Sequence, residues 1–207
     1  MFPMAYVYPR DMRATRDLLR RREYFVHHQA ELFTHIENTN FQYNYNSTLT
    51  KGRMRSATYR ATLPERFGDP VAQKNIQADM FLASAFHRLI LNLEEEIQRQ
   101  AKTHDPFSLA LLRTIPGIGE ILSLVILYEI EDIHRFPDVR NFISYCRLVK
   151  CAHESAGKRV TGSNNKIGNT HLKWAYSEAS VLFLRKNAPA QKLHDRLVKK
   201  YGKAKAL

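Results

Sequence analysis

The chain has 207 residues, and its composition and charge exclude several classes of protein. Apolar residues make up 44% of it, enough to bury a core, and its longest apolar run is far too short to cross a bilayer. The formal net charge is +12, and residues 147–207 alone carry 14 Lys and Arg against three acidic residues. This basic block predicts a DNA or RNA partner and no membrane contact, because it lacks a strong apolar face beside its charges.

The cysteines and the N-terminus also favour an intracellular protein. Cys146 and Cys151 are spaced for neither a redox C-x-x-C pair nor a structural zinc site, so we expect two buried thiols and no metal site here. No charged segment leads into an apolar stretch at the N-terminus, so no signal peptide is predicted. We expect a cytoplasmic, nucleoid-associated protein.

A helical pattern opens the chain. From Asp11 to Tyr43, apolar residues recur at three, four and seven positions, which predicts one long amphipathic helix. Arginines crowd its first half, and they form either a solvated face or an edge that binds a nucleic-acid backbone. The candidates for such binding are Arg13, Arg16 and Arg20.

A second long helix is predicted after a connector at residues 44–70. It spans Val71 to Lys102 and repeats apolar residues every seven positions, which indicates a coiled-coil arm. This seam consists of Ile76, Ala83, Ile90 and Ile97. The seam can pair with the first helix or with a second protomer, so a homo-oligomer through the arm is one expectation.

A turn between two further helices is the first candidate binding site. Helices are predicted at Pro106–Arg113 and Glu120–Glu131, and glycines between them permit positive φ and a close approach of the backbone to a ligand. The start of the second helix suits a phosphate, although a simple helix–turn–helix corner explains the same pattern. The candidate nucleic-acid contacts in the turn are Pro116, Gly117, Ile118 and Gly119.

The rest of the chain is also predicted to be helical. A helix at Asp138–Leu148, a polar loop at residues 152–168, a helix capped by Asn169 or Thr170 and a final basic helix follow in order. No convincing strand alternation occurs anywhere. We therefore predict a mainly α fold, in which a long helical coiled-coil arm precedes a compact helical domain containing a helix-hairpin-helix.

The polar loop contains a candidate nucleophile. Ser155 lies near Lys158 and Arg159, two cations that could neutralise the charge on a phosphate under attack, and His153 or Glu154 could act as base. A solvent-exposed loop serine is the simpler interpretation. Two further lysines, Lys166 and Lys173, are candidate nucleic-acid contacts.

Several motifs together resemble the transposases of insertion-sequence family 110/116/902. The ordered set is T-I-P-G-I-G (114–119), R-F (135–136), S-Y-C-R-L (144–148), E-S-A-G-K (154–158) and K-I-G-N-T-H-L-K-W-A (166–175). Upstream, residues 5–22 and 35–40 also resemble these enzymes. The resemblance implies DNA recombination, with a DEDD carboxylate tetrad in an RNase H-like domain that binds Mg²⁺ and a structured RNA that chooses the target.

The resemblance also implies roles for parts of this chain. Ser155 matches the serine that attacks the DNA phosphodiester. Residues 1–104 correspond to the end of the RNase H-like domain plus the arm, and residues 105–207 to the C-terminal transposase domain. The tetrad precedes these residues in the family, so we expect a chain truncated at both ends, without Mg²⁺ ligands, that binds DNA but is inactive alone. The alternative is a non-enzymatic helix-hairpin-helix protein that binds DNA or RNA.

Overall fold

A computed structural model of the chain describes residues 6–45, 51–54, 56–149, 152–155, 158–161, 168–185 and 187–203. Its elements are, in chain order, α1 (Arg10–Gln42), α2 (Lys51–Met54), α3 (Ala57–Thr62), α4 (Pro70–His104), α5 (Pro106–Thr114), α6 (Glu120–Ile130), α7 (Val139–Tyr145), β1 (Ala152–Ser155), β2 (Lys158–Thr161), α8 (Thr170–Arg185) and α9 (Ala188–Tyr201). The predicted mainly α fold is confirmed. The long helices begin and end within two residues of their predicted limits, because their apolar periodicity is strong over many turns.

The structure departs from the sequence prediction at two places. The predicted connector at residues 44–70 contains the short helices α2 and α3. The predicted polar loop contains an antiparallel pair of strands, β1 and β2, where only a loop was expected. Each strand is four residues long, too short for alternation to be recognised in a sequence.

The chain divides into two compact units, each described by itself below. Unit 1 consists of Met1–Arg16 together with Gln98–Leu207, and unit 2 consists of Asp17–Ile97. Both unit boundaries fall inside long helices, α1 and α4. The domain boundary that the family resemblance implies after residue 104 stays a prediction.

Unit 2 is built on an antiparallel pair of helices, α1 and α4. Arg22 forms an ion pair with Glu94 at 2.6 Å, and His35 Nδ1 lies 2.5 Å from Asp79 Oδ2, so the residue numbers run in opposite directions along the pair. At one end, α2 and α3 complete a core around the fully buried Phe67. The other buried members are Ile36, Met54, Leu63, Ala72, Ile76 and Met80.

The predicted heptad seam lies inside the chain. Ile76, Ala83, Ile90 and Ile97 are all buried, and the Ala83 carbonyl accepts a hydrogen bond from the Gln29 amide of α1 at 2.8 Å. The sequence allowed this seam to pair either with the first helix or with a second protomer. In the structure it packs against the first helix, α1.

Unit 1 is organised around α6, whose residues from Leu122 to Glu129 are all buried. Both ends of the chain contribute to it. Tyr8, near the N-terminus, is buried and donates its hydroxyl to the Tyr128 carbonyl at 2.7 Å. Desolvation by burial raises the pKa of both phenols, to about 12 for Tyr128. The N-terminal segment is thus part of the same core as α6.

Candidate nucleic-acid interface

The turn between α5 and α6 is held by backbone and capping hydrogen bonds. Asp105 Oδ1 accepts the Ser108 N–H at 2.9 Å and so caps α5. The Ile118 N–H donates to the Ile115 carbonyl at 3.0 Å, which closes the turn. Gly119 then stands at the N-cap of α6 and has no side chain to cap it, which leaves first-turn N–H groups as donors for an anion.

Gly117 has a packing role within unit 1. Its φ is +90°, and a Cβ at this position would lie 2.6 Å from both the Ala179 carbonyl oxygen and the Phe183 nitrogen. The close backbone approach that the sequence predicted for a ligand is therefore made to α8 of the same unit. Ile118 is buried beside it, whereas Pro116 and Gly119 are exposed to solvent.

An apolar cavity of about 420 Å³ lies between the turn, α8 and α9. Its lining includes Ile115, Tyr176, Phe183, Leu193 and Leu197. Burial raises the pKa of the Tyr176 phenol to about 12. Because α9 turns its leucines toward this cavity, its opposite side faces solvent.

The solvent side of α9 carries a row of cations, which we call the α9 basic face. Its members are Lys192, Arg196 and Lys199, all exposed, and their spacing of three or four residues places them on one side of the helix. On α8, Lys173 and Arg185 are exposed as well. The sequence predicted a basic helix here, but none of the α9 cations was named as a nucleic-acid contact. The leucines and cations alternate at helical spacing, and this pattern could have identified them.

Asn169 fixes the start of α8 through both the oxygen and the nitrogen of its side-chain amide. Its Oδ1 accepts the N–H groups of His171 and Leu172 at 2.9 and 3.1 Å, and its Nδ2 donates to Glu129 Oε2 at 2.6 Å. The backbone N–H of Asn169 donates to the Tyr145 carbonyl at 2.6 Å. Asn169 and Glu129 are both buried, so these bonds are shielded from water.

A second contact ties the end of α7 to the start of α8. Gly168 has a φ of +83°, and a Cβ there would lie 2.5 Å from the Tyr145 carbonyl oxygen. Its own carbonyl accepts a hydrogen bond from Arg147 Nε at 3.0 Å. The segment that contains β1 and β2 therefore begins and ends at one fixed point of unit 1.

The strand pair contains the candidate nucleophile and two of the candidate cations. Ser155 pairs with Lys158, and Glu154 pairs with Arg159, across the antiparallel strands. The backbones of Ser155 and Lys158 are therefore neighbours, and the roles of these residues stay predictions.

Arg135 forms a cluster that sequence reasoning did not assign to any role. Its guanidinium carbon lies 4.3 Å from the ring centre of Tyr6, 4.6 Å from that of Phe136 and 4.7 Å from that of Tyr145. Desolvation by burial raises the pKa of the Cys146 thiol to about 11. The positive charge of Arg135 acts in the opposite direction and lowers this pKa. This arginine stabilises the N-terminal segment and α7 together by cation–π contact.

The other predicted contacts have different surroundings. Arg13 donates to the Tyr8 carbonyl, and the Arg16 guanidinium stacks 3.9 Å from the Tyr8 ring centre, so both hold the N-terminal segment. Arg20 is half-buried and also has a partner within the chain. Lys166 lies outside the described residues. Nucleic-acid contact by any of these side chains stays a prediction.

Two absences concern only the part of the chain that the structure describes. There, no three His, Cys, Asp or Glu side chains come together as metal ligands. Within the same residues, no helix is long and apolar enough to cross a bilayer.

Comparison with known proteins identifies the segment that contains these features. Residues 109–195, from α5 to α9, match the family described as Transposase IS116/IS110/IS902 family. This segment is therefore similar to the transposases of that family. A curated relative, the transposase for insertion sequence element IS1111A of Coxiella burnetii (strain RSA 493 / Nine Mile phase I), is 31% identical over 92 residues.

The match covers 44% of this chain and 25% of the Coxiella relative, so the aligned part spans about a quarter of that transposase. The resemblance predicted from sequence motifs is confirmed. The turn, the Asn169 anchor and the strand pair all lie inside the segment that matches the family.

Proposed function

We propose that this chain acts in DNA transposition and that unit 1 binds the DNA backbone. The observation that carries the proposal is the α9 basic face, because it presents cations in a row on the solvent side of the transposase segment. The family match supports DNA recombination as the process.

The charge distribution supports backbone binding over base recognition. Among the residues of the C-terminal region whose side chains the structure describes, seven cations are exposed: Lys173, Arg185, Lys192, Arg196, Lys199, Lys200 and Lys203. Cations that neutralise phosphates release counterions, which favours binding regardless of sequence. The turn at Pro116 and Gly119 offers a second, uncharged contact through backbone N–H groups at the start of α6.

The strand pair supplies the proposed chemical group. In this proposal the Ser155 oxygen forms a bond to a DNA phosphorus, one phosphorus–oxygen bond to a deoxyribose breaks, and the hydroxyl proton passes to a base. The departing sugar oxygen takes up a proton, and Lys158 and Arg159 stabilise the charge on the phosphate oxygens. The Asn169 anchor fixes the start of α8, the helix that follows the strand pair in the chain.

A salt series tests DNA binding by the α9 basic face. Duplex DNA with a fluorescent label is titrated with the chain and with a variant in which Lys192, Arg196 and Lys199 are changed to alanine. Three lost phosphate contacts should make the slope of log K against log salt shallower by about 2.7, from about 0.9 per contact. An unchanged slope would refute a role for this face.

A matched control removes the same charge elsewhere. Arg53, Lys74 and Arg88 are exposed cations of unit 2, and their triple alanine variant should retain the wild-type slope. Equal losses in both variants would mean that only net charge matters. A structured RNA replaces the duplex in a parallel titration, which tests the proposed guide RNA as a second ligand.

Strand cleavage separates the enzyme from a simple binding protein. The chain is incubated with DNA and Mg²⁺, alone and together with a full-length relative of the transposase family, and product strands are separated on a denaturing gel. We expect cleavage only in the mixture, and its loss with Ser155→Ala while DNA binding persists. Equal activity of Ser155→Ala and wild type would favour the non-enzymatic alternative.

A further inference from the structure

An apolar groove crosses the surface of unit 1, and we call it the α5–α9 groove. Phe107, Leu111 and Ile115 follow one another at intervals of four residues along α5 and its C-cap, which places them on one side of the helix. Ile115 also lines the cavity of about 420 Å³ between the turn, α8 and α9, and Leu193 lines the same cavity from α9. These four residues define the groove, in which the stripe on α5 runs into the cavity.

Most of this apolar surface is open to solvent. Phe107 is 76% exposed, Leu111 57%, Ile115 43% and Leu193 54%. Single exposed leucines are ordinary, whereas a run of large apolar side chains on one surface is typical of an interaction site. Small molecules are held in cavities that bury most of their surface, so an open groove of this kind suits a helix that lays its apolar side along it.

Two cations border the groove on α9. Arg196 and Lys200 follow Leu193 by three and seven residues, so all three lie on the same side of the helix. Both cations are exposed to solvent. The Lys200 ammonium lies 5.1 Å from the ring centre of its neighbour Tyr201, a contact that can persist beside a carboxylate.

Acidic residues of the same elements lie away from the groove. Around their helices, Glu178 on α8 and Asp195 on α9 are about 140–160° from the residues that line the cavity. Glu120, at the start of α6, lines a separate depression together with Lys102 and Arg113. The α9 edge of the groove is therefore positive and complements an acidic ligand.

We propose that the α5–α9 groove binds an acidic amphipathic helix of another protein. Apolar residues of the partner, spaced by three and four positions, pack along Phe107, Leu111 and Ile115, and one large apolar side chain enters the cavity beside Leu193. Acidic residues beside this apolar side lie against Arg196 and Lys200. The stripe on α5 is about 12 Å long, so about three turns of the partner helix cover it. The proposal does not depend on DNA binding.

Fluorescence anisotropy with synthetic helical peptides of about five turns tests the proposal on the full chain. One peptide has leucines along one side and glutamates beside them, a second has lysines in place of the glutamates, and a third has glutamines in place of the leucines. The first should bind with a Kd on the order of 10 µM, and the other two at least about tenfold more weakly. Equal binding of the leucine and glutamine peptides with glutamates would show charge attraction alone and overturn the proposal.

Substitutions in the groove identify the binding site. Leu111→Glu with Leu193→Glu should raise the Kd for the glutamate peptide at least about 30-fold, because apolar contacts are lost and like charges meet. Ile133→Glu with Val139→Glu is the matched control, since these residues are 50% and 73% exposed in unit 1 outside the groove, and it should leave the Kd unchanged within about twofold. Equal losses in the two variants would overturn the site.

A charge exchange tests the edge of the groove. Arg196→Glu with Lys200→Glu should reverse the preference, so that the lysine peptide binds about tenfold more tightly than the glutamate peptide. An unchanged preference would overturn the choice of an acidic partner. Self-association of the wild type that Leu111→Glu with Leu193→Glu abolishes would assign the groove to a second copy of the chain and overturn the proposal. Circular dichroism confirms that each variant is folded.

Discussion

Substitution of Gly117 by alanine should destabilise unit 1, because it strains the backbone and creates a clash. The φ of +90° is unfavourable for an L side chain by about 1–2 kcal/mol. The new methyl would lie 2.6 Å from backbone atoms of Ala179 and Phe183, which cannot rotate away, and such overpacking costs about 1–3 kcal/mol. Reduced freedom of the unfolded chain offsets about 0.4–1 kcal/mol. The expected net loss is about 2–4 kcal/mol.

Urea unfolding followed by tryptophan fluorescence measures this loss. The only tryptophan of the chain, Trp174, lies on α8 in unit 1, so its emission reports on the unit that the substitution affects. With a denaturant slope of about 2 kcal/mol per molar, a loss of about 3 kcal/mol lowers the urea midpoint by about 1.5 M.

Gly119→Ala is the matched control in the same turn. Gly119 has no neighbour within 4 Å of an added Cβ, and its φ is −86°, so its free energy of unfolding should change by less than about 1 kcal/mol. If the turn contacts DNA, this variant should instead weaken DNA binding, by roughly fivefold for about 1 kcal/mol. Equal midpoints for the two variants would refute the assignment of Gly117 to packing against α8.

Three further substitutions or reactions probe other parts of unit 1. Asn169→Ala should lower the free energy of unfolding by about 2–4 kcal/mol, seen in a thermal melt, because it removes the cap of α8 and one donor to the buried Glu129 carboxylate; a loss under about 1 kcal/mol would contradict the anchor. Tyr8→Phe should cost about 1–2 kcal/mol in urea, since the Tyr128 carbonyl loses its donor. Cys146 should react slowly with iodoacetamide at pH 8 and faster as the pH rises toward the thiol pKa of about 11. Mass spectrometry of its peptide measures the labelling rate, and rapid labelling at pH 8 would contradict the burial of Cys146.

The sequence predicted the helices well because their pattern is local. The limits of α1 and α4 follow from apolar periodicity, and Asp105 and Asn169 were recognisable as residues before helix starts. Ser155, Lys158 and the turn were proposed for a similar reason, since each lies in a short motif, whereas the α9 cations were not named. Their roles in binding and cleavage remain predictions.

What the sequence did not predict depends on contacts between distant residues. The glycines of the turn were expected to permit a positive φ; Gly117 has one, whereas Gly119 has a φ of −86°. The sequence could not show that α8 fills the space beside Gly117. Arg16 was a candidate for DNA contact because of its charge, whereas its packing on Tyr8 became visible only with the fold.

The composition of unit 1 from both ends of the chain has a consequence for folding during synthesis. Unit 2 is continuous in sequence, so all its residues leave the ribosome before most of unit 1 has been made. The Tyr8 hydrogen bond to Tyr128 joins residues 120 positions apart, and such a contact forms only after a large loop has closed. We therefore expect the N-terminal segment to remain unfolded while unit 2 folds. Unit 1 folds last, after α6 has been synthesised.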